Sequence, residues 1–222
     1  VCRQHRSSSA EGYVCPECWL KVQFVTEPFC ERCGLPYDGE ITGPFECSKC
    51  REMELHFRSA RSAVIANPFL LEIIHRYKYS HALWFEPFLV DLLLRQAKPV
   101  LEKDQWDFIV PVPLHPLKKR QREFNQAERL AAHLGRATQI AMNPNLLERI
   151  EFTRSQTRLT RPQRSTNMRN AFAMKNRRKL HGEKIILLDD VLTTGARTSA
   201  CARILQKAGA GEICVWTIAR GQ

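Results

Sequence analysis

The sequence of 222 residues lacks any uninterrupted apolar run of the roughly 18 residues that a membrane-spanning helix requires. It also lacks a basic segment followed by an apolar one at its start, and it has no low-complexity tract. The first absence excludes a membrane-spanning protein, and the second argues against secretion. Because 44% of the residues are hydrophobic and 26% are charged, we expect an ordinary globular protein of the cytoplasm.

Acidic residues are scarce in one stretch of the chain. Residues 115–182 hold sixteen lysines and arginines but only four aspartates and glutamates, and this excess accounts for the whole net charge of +11. Such a local excess favours a surface that binds a polyanion, either a polyphosphate ligand or nucleic acid. The alternative is a solvated face that only keeps the protein soluble. Few aromatic residues accompany these cations, so binding through base stacking is only weakly indicated.

Cysteine is scarce after residue 50 and abundant before it. Three pairs have two residues between their members: Cys15 and Cys18, Cys30 and Cys33, Cys47 and Cys50. Two thiolates at this spacing bind one metal ion from the same side, and two such pairs complete the tetrahedral shell of structural zinc. Disulfides are the alternative, but a secreted disulfide scaffold should carry a leader. We therefore expect Zn2+ in a structural role.

The later two pairs predict one four-thiolate site, formed by Cys30, Cys33, Cys47 and Cys50. The pair Cys15 and Cys18 needs two more ligands, and two alternatives stay open. Cys2 and His5 have the matching spacing and would complete the site. Otherwise Cys2 is the second member of a pair whose first cysteine precedes residue 1, and His5 is a bystander. Cys201 and Cys214 lie in apolar segments and are predicted to be buried without a chemical role.

The pattern divides the chain into a zinc module over residues 1–55 and an α/β domain over residues 56–222. Beyond the module, apolar periodicity predicts strands near 62–66, 108–114, 184–188 and 213–219, and helices over 70–79, 86–101, 125–137 and 198–208. We expect the second helix to end near Pro99. Prolines at 111 and 113 place their strand at an edge or a strand end. The continuous apolar run at 184–188 is typical of a buried parallel strand.

The most informative stretch is KIILLDDVLTTGART, which begins at residue 184. An apolar strand delivers Asp189 and Asp190 to its carboxyl end, where ligands bind in open α/β sheets. The turn of Thr193, Thr194 and Gly195 then opens a helix, and backbone N–H groups at such a turn form an anion cradle. Carboxylates suit the vicinal hydroxyls of a ribose, so the stretch predicts a ribose 5-phosphate site. A turn rich in helix caps would explain the threonines but not the paired aspartates.

This stretch resembles the signature with which type I phosphoribosyltransferases bind PRPP (5-phosphoribosyl 1-pyrophosphate). The chain also resembles the ComF family along most of its length, through the cysteine pairs and the segments 74–79, 110–126 and 153–172. The resemblance implies a type I phosphoribosyltransferase-like parallel sheet with helices on both faces and an N-terminal zinc ribbon. It further implies PRPP binding and a role in DNA uptake during natural transformation. The family has four cysteine pairs, which favours the second alternative for Cys2.

The resemblance also assigns roles to residues. Asp189 and Asp190 would contact the ribose, and the 5-phosphate would lie on Leu192, Thr193, Thr194, Gly195, Ala196, Arg197 and Thr198. The pyrophosphate would contact Lys118, Lys119, Arg120 and Arg122. A mobile hood loop would contribute Gln156, Arg161, Arg164 and Asn167. Mg2+ would enter with PRPP.

Two residues depart from the family pattern. Arg197 stands where the family has threonine or serine, so a hydroxyl contact is lost, replaced by the guanidinium or supplied by Thr198. Glu123 stands where the family has glycine, and its carboxylate would repel pyrophosphate if it faced the site. These departures put the geometry of both loops in question.

Three functions stay open at this level. The first is a PRPP-binding protein, either a transferase with an unidentified acceptor or a protein that only binds the ligand. The second is a module for single-stranded DNA that uses the zinc ribbon and the basic face. The third is a docking protein for competence or DNA-processing partners.

Overall fold

The computed structural model describes residues 2, 7–8, 12–41, 43–150 and 171–221. Its strands are β1 (Ser59–Ile65), β2 (Phe108–Pro111), β3 (Leu147–Arg149), β4 (Phe172–Met174), β5 (Ile185–Leu192) and β6 (Ile213–Arg220). Four of them form one sheet in the order β1-β6-β5-β2. Every neighbouring pair in that sheet is parallel, so the carboxyl ends of β5 and β6 lie side by side. The other two strands, β3 and β4, form a separate antiparallel ribbon.

The helices are α1 (Pro16–Trp19), α2 (Ser48–Arg51), α3 (Pro68–Tyr79), α4 (Glu86–Leu101), α5 (Pro116–Arg122), α6 (Gln126–Thr138) and α7 (Ala196–Lys207). Short 3-10 turns cover Leu83–Phe85 and Lys175–Arg177. Asparagine side chains start two of the longer helices, because Asn67 accepts from the Leu70 amide at 2.9 Å and Asn125 accepts from the Ala127 amide at 3.1 Å. The two caps explain why these helices begin at Pro68 and Gln126, within two residues of the predicted starts at 70 and 125.

Alternate residues of the central strands face two separate cores. Ile186 and Leu188 of β5 pack in one core with side chains of α3, α4 and α6. Ile185 and Leu187 pack in the other core with side chains of α7. Helices thus cover both faces of the sheet, which is why β5 is apolar at every position from 185 to 188.

The cysteine module lies along the free edge of β1. The Val25 amide donates to the Ala63 carbonyl at 3.0 Å, the Ile65 amide donates to Gln23, and the Ala60 amide donates to Arg32. These bonds cover backbone groups that an edge strand would otherwise leave unpaired. Cys15 and Cys18 belong to the first core, whereas the four later cysteines belong to the second. The module therefore contributes to both cores of the α/β domain.

The predicted class is confirmed: a parallel α/β sheet carries helices on both faces and a cysteine-rich N-terminal module. Strand β2 is an edge strand, as its prolines indicate. Several boundaries differ from the prediction: β1 begins at Ser59 rather than near 62, and β2 ends at Pro111 rather than at 114. Helix α4 covers the predicted range 86–101, but it does not end at Pro99. Strand β5 continues beyond Leu188 to Leu192, so both aspartates belong to the strand itself. Among the residues described, no helix is long and apolar enough to span a membrane.

Candidate functional site

Four cysteines form a compact cluster at the second core. The sulfurs of Cys30, Cys33, Cys47 and Cys50 lie within 4.8 Å of one another, and all four side chains are buried. Cys30 and Cys50 are 3.9 Å apart, and Cys33 and Cys47 are 3.8 Å apart. A tetrahedron with Zn–S bonds of about 2.3 Å has edges of about 3.8 Å. The donor set therefore fits structural zinc, and the predicted four-thiolate site is brought together.

A second cluster joins Cys2 to the first pair. The sulfurs of Cys2, Cys15 and Cys18 also lie within 4.8 Å of one another, with Cys2 3.7 Å from Cys15. Cys2 is thus placed as a ligand together with the pair, as both alternatives required. His5 lies outside the described residues, so the fourth ligand is not assigned.

The two aspartates of β5 are buried beside two cations. Asp189 is 4% exposed and Asp190 is 6% exposed. Arg197, in the first turn of α7, contacts both carboxylate oxygens of Asp189 at 3.1 and 3.2 Å. Lys78, near the end of α3, lies 2.5 Å from Asp190. Each carboxylate therefore has its own cation.

The two carboxylates differ in proton affinity. Burial raises the pKa of Asp189 above its usual range, and the opposing charge of Arg197 does not fully offset this effect. Burial acts on Asp190 in the same direction, but Lys78 and then Arg197 outweigh it and lower its pKa. Asp189 is therefore the first of the two to take up a proton as the pH falls.

The turn after β5 is shaped by its own hydrogen bonds. Gly195 has φ +74°, a left-handed conformation that side chains rarely adopt, and it caps α7 without a side-chain hydrogen bond. The Thr194 hydroxyl instead accepts a hydrogen bond of 3.4 Å from the Ala196 amide in the first turn of α7. The Thr198 hydroxyl donates to the Gly195 carbonyl at 3.0 Å, and Thr198 is 2% exposed. That hydroxyl stabilises the turn, whereas Thr193 is exposed.

Part of the basic segment approaches the aspartates. Burial lowers the pKa of Lys118, and the charges of Arg149, Arg122 and Arg197 lower it further. Arg149, on β3, is 8% exposed, and its pKa is lowered by burial and then by Arg197. The charges of Arg122 and Arg197 thus act on both Lys118 and Arg149, and Asp189 acts on Arg149 in the opposite direction.

The other predicted pyrophosphate residues have different surroundings. Lys119 makes an ion pair with Glu128 at 3.1 Å, and Arg120 is exposed. Arg122 donates to the Tyr79 hydroxyl at 2.7 Å, and its guanidinium lies 4.4 Å from the centre of the Tyr79 ring. Among these residues, Lys118 and Arg122 are the ones whose charges act on the site.

Glu123 lies at the surface, away from the carboxylate pair. Its carboxylate is 3.5 Å from His81 and its side chain is 78% exposed. The residue adopts φ +63°, which suits the glycine of the family pattern and costs a side chain roughly 1–2 kcal/mol. The departure at 123 thus affects backbone strain, and the carboxylate does not face Asp189 and Asp190.

The predicted hood residues Gln156, Arg161, Arg164 and Asn167 lie outside the described residues. The ribbon of β3 and β4 ends at Arg149, paired with Phe172, next to the cation cluster. Sequence reasoning assigned no role to Lys78, Arg149 or Arg220, all of which contact or influence the site. A charged residue within or beside an apolar segment is the signal that marks Arg220, the last residue of ICVWTIAR.

Together, the parallel sheet and the cysteine clusters define an α/β protein with an N-terminal zinc-ribbon module. A family model described as a double zinc ribbon domain matches residues 1–51. Competence protein F of Haemophilus influenzae is 30% identical over 220 residues, which cover 95% of this chain and 92% of that protein. The chain belongs to the family of competence protein F, ComF.

Other relatives agree with this assignment. Competence protein ComFC of Bacillus subtilis is 28% identical, over 93% of this chain and 84% of its own length. DNA utilization protein YhgH of Escherichia coli is 27% identical, over 93% of this chain and 90% of its own length. Among solved structures, an adenine phosphoribosyltransferase matches 78% of this chain and 89% of its own, with 13% identity and a TM-score of 0.41.

Proposed function

We propose that this chain binds PRPP together with Mg2+ at the carboxyl end of β5 and serves a ComF-type role in DNA uptake. The observation that carries the proposal is the buried pair Asp189 and Asp190, followed directly by a turn that opens α7. The names of the relatives, which refer to competence and DNA utilization, support the cellular role.

The proposed contacts follow from the charges. The carboxylates accept hydrogen bonds from the two ribose hydroxyls, and the amides and hydroxyls from 192 to 198 hold the 5-phosphate. Lys78 and Arg197 form ion pairs with the two carboxylates. When the ribose hydroxyls bind the carboxylates, these two cations can instead contact the phosphate groups of the ligand. Mg2+ is held mainly by PRPP oxygens and water.

The cation cluster supports a polyphosphate ligand. Burial lowers the pKa of Lys118, and the like charges of Arg149, Arg122 and Arg197 lower it further. A pyrophosphate group placed among them relieves that repulsion, and it gains more in this partly buried space than at an open surface. Calorimetric titration with PRPP and Mg2+ tests the proposal directly.

Single-stranded DNA is a second candidate ligand, favoured by the exposed part of the same basic region. Lys119 and Arg120 are exposed beyond the carboxylate pair, and Tyr79 is 56% exposed beside Arg122. These groups offer cations for a phosphate backbone and one aromatic ring near them.

Salt dependence distinguishes this candidate. If DNA contacts the basic segment, log affinity falls with log salt by about 0.7 per phosphate contact for single strands. Changing Lys118, Lys119 and Arg120 to alanine should then reduce the slope by about 2, measured by fluorescence anisotropy of a labelled oligonucleotide. The matched control changes Lys98, Lys103 and Lys207 to alanine and removes the same charge elsewhere. An unchanged slope in the first variant, or no binding at low salt, contradicts this candidate.

A further inference from the structure

Arg220, the last residue of β6, is buried between the four-cysteine cluster and the turn after β5. It is 4% exposed and pairs in register with Leu192 of β5. A buried guanidinium is costly unless its donors and its charge are matched. Among the residues that the structure describes, no aspartate or glutamate forms an ion pair with Arg220. Its compensation must therefore come from other groups.

Those groups lie on two sides. Toward the cysteine cluster, Nε donates to the Cys33 carbonyl at 3.0 Å and Nη2 donates to the Cys33 sulfur at 3.4 Å. Toward the turn, Nη1 donates to the carbonyls of Leu192 at 3.1 Å and Thr193 at 2.9 Å, and also to that of Gly221. A zinc centre with four thiolates carries net negative charge, so it supplies the anion that Arg220 otherwise lacks.

The carbonyl contacts determine where the amides of the turn point. In a trans peptide the N–H group points opposite to the C=O group of the same plane. Arg220 holds the carbonyls of Leu192 and Thr193, so the N–H groups of Thr193 and Thr194 point away from it. These two N–H groups belong to the anion cradle of the proposed function.

A second contact joins the cysteine module to the same turn. The Ser199 hydroxyl donates to the Glu54 carbonyl at 3.2 Å and accepts from the His56 amide at 3.1 Å. A Cβ atom at Gly195 would lie 3.5 Å from the Phe57 ring, so the segment after α2 packs directly behind the turn. The segment that follows the four cysteines thus contacts both Gly195 of the turn and the first turn of α7.

We propose that Arg220 is a positioning residue that couples the four-cysteine zinc centre to the anion-binding turn. Zinc at the centre holds Arg220, and Arg220 holds the turn with its amides directed outward. Coupling of this kind is reciprocal: zinc strengthens anion binding at the turn, and an anion bound there strengthens zinc binding by the same free energy. The anion part rests on the proposed function, whereas the effect of zinc on the turn does not.

Arg220→Lys is the informative variant, because lysine keeps the positive charge but lacks the planar guanidinium, whose several N–H groups contact both Cys33 and the turn. The matched control is Arg61→Lys. Arg61 also joins the sheet to the cysteine module, through the Glu31 carbonyl and carboxylate at 2.8 Å, but it does not contact the turn. Zinc affinity is measured by equilibrium competition with a chromogenic chelator, with and without saturating PRPP and Mg2+.

We expect PRPP to tighten zinc binding about tenfold in the unmodified chain and in Arg61→Lys, within the usual range of coupling between sites. In Arg220→Lys, PRPP should no longer change the zinc affinity. If PRPP binds the unmodified chain yet leaves its zinc affinity unchanged, the coupling is overturned, and this comparison needs no variant to fold.

Hydrogen exchange without ligand separates this proposal from the proposed function. Removal of zinc, or Arg220→Lys, should speed exchange of the Thr193 and Thr194 amides about tenfold or more, and Arg61→Lys should not. If PRPP fails to bind but the exchange responds, the proposed function fails and the coupling stands. If exchange at both amides is insensitive to zinc and to Arg220→Lys, the coupling is wrong.

Discussion

Replacing Asp189 and Asp190 together with asparagine is expected to weaken PRPP binding at least about a hundredfold. Hydrogen bonds to a charged acceptor contribute about 1.5–3 kcal/mol each, so losing two costs about 3–6 kcal/mol, and every 1.4 kcal/mol is tenfold. Calorimetric titration with PRPP and Mg2+ measures the change. Circular dichroism checks that the isosteric variant retains its fold.

The sign of the change distinguishes ribose recognition from simple attraction of a polyanion. Removing two negative charges next to Lys78 and Arg197 makes the site more positive. If the carboxylates did not contact the ribose, PRPP would therefore bind more tightly to the double variant. The control changes Asp91 and Asp104, on α4 and after it, to asparagine and alters the net charge equally. Equal or tighter binding in the first variant would remove the role assigned to the pair.

Changing Cys30 and Cys50 to serine is expected to release one equivalent of zinc and to unfold the cysteine module. Zinc contributes about 10–16 kcal/mol of apparent binding free energy to small zinc-finger peptides at neutral pH. Here the four cysteines pack in the same core as Leu55, Phe57 and residues of α7, so the loss should also destabilise the α/β domain. Elemental analysis counts zinc, and urea unfolding measures the remaining stability.

Cys201→Ala provides the matched control for the cysteine variant. Cys201 is completely buried in α7 but belongs to neither cluster, so its replacement should leave the zinc content unchanged. Its cost should be that of a small cavity, about 1 kcal/mol. An unchanged zinc count in the double serine variant, or disulfides among the four sulfurs, would contradict the metal assignment.

Local sequence patterns predicted the elements that local physics determines. The apolar run at 184–188 gave a central parallel strand, and the prolines at 111 and 113 gave an edge strand. The spacing within cysteine pairs predicted their geometry, because two thiolates three residues apart meet on one turn. Apolar periodicity after Gly195 likewise predicted the helix that follows this turn.

Long-range pairing lies beyond such patterns. Lys78 reaches Asp190 from α3, and Arg220 reaches the turn from a strand 28 residues away. A lysine near a helix end and an arginine near a strand end are common, so neither position indicates its partner. The role of Arg197 also depends on folding, since the sequence identified the departure from the family but not the ion pair with Asp189. The contact between Arg220 and the turn depends on the parallel pairing of β5 and β6, which places the carboxyl ends of the two strands side by side.

The most direct test of the account is calorimetric titration of the unmodified chain with PRPP in Mg2+, beside ribose 5-phosphate and pyrophosphate alone. We expect one PRPP site per chain. Ribose 5-phosphate and pyrophosphate should each bind more weakly than PRPP, because the ribose, its 5-phosphate and the pyrophosphate contact different residues of the protein. Binding of PRPP should also weaken when Mg2+ is removed. Absence of binding, or pyrophosphate binding as tightly as PRPP, would contradict the claim that Asp189, Asp190 and the turn after them recognise a ribose 5-phosphate.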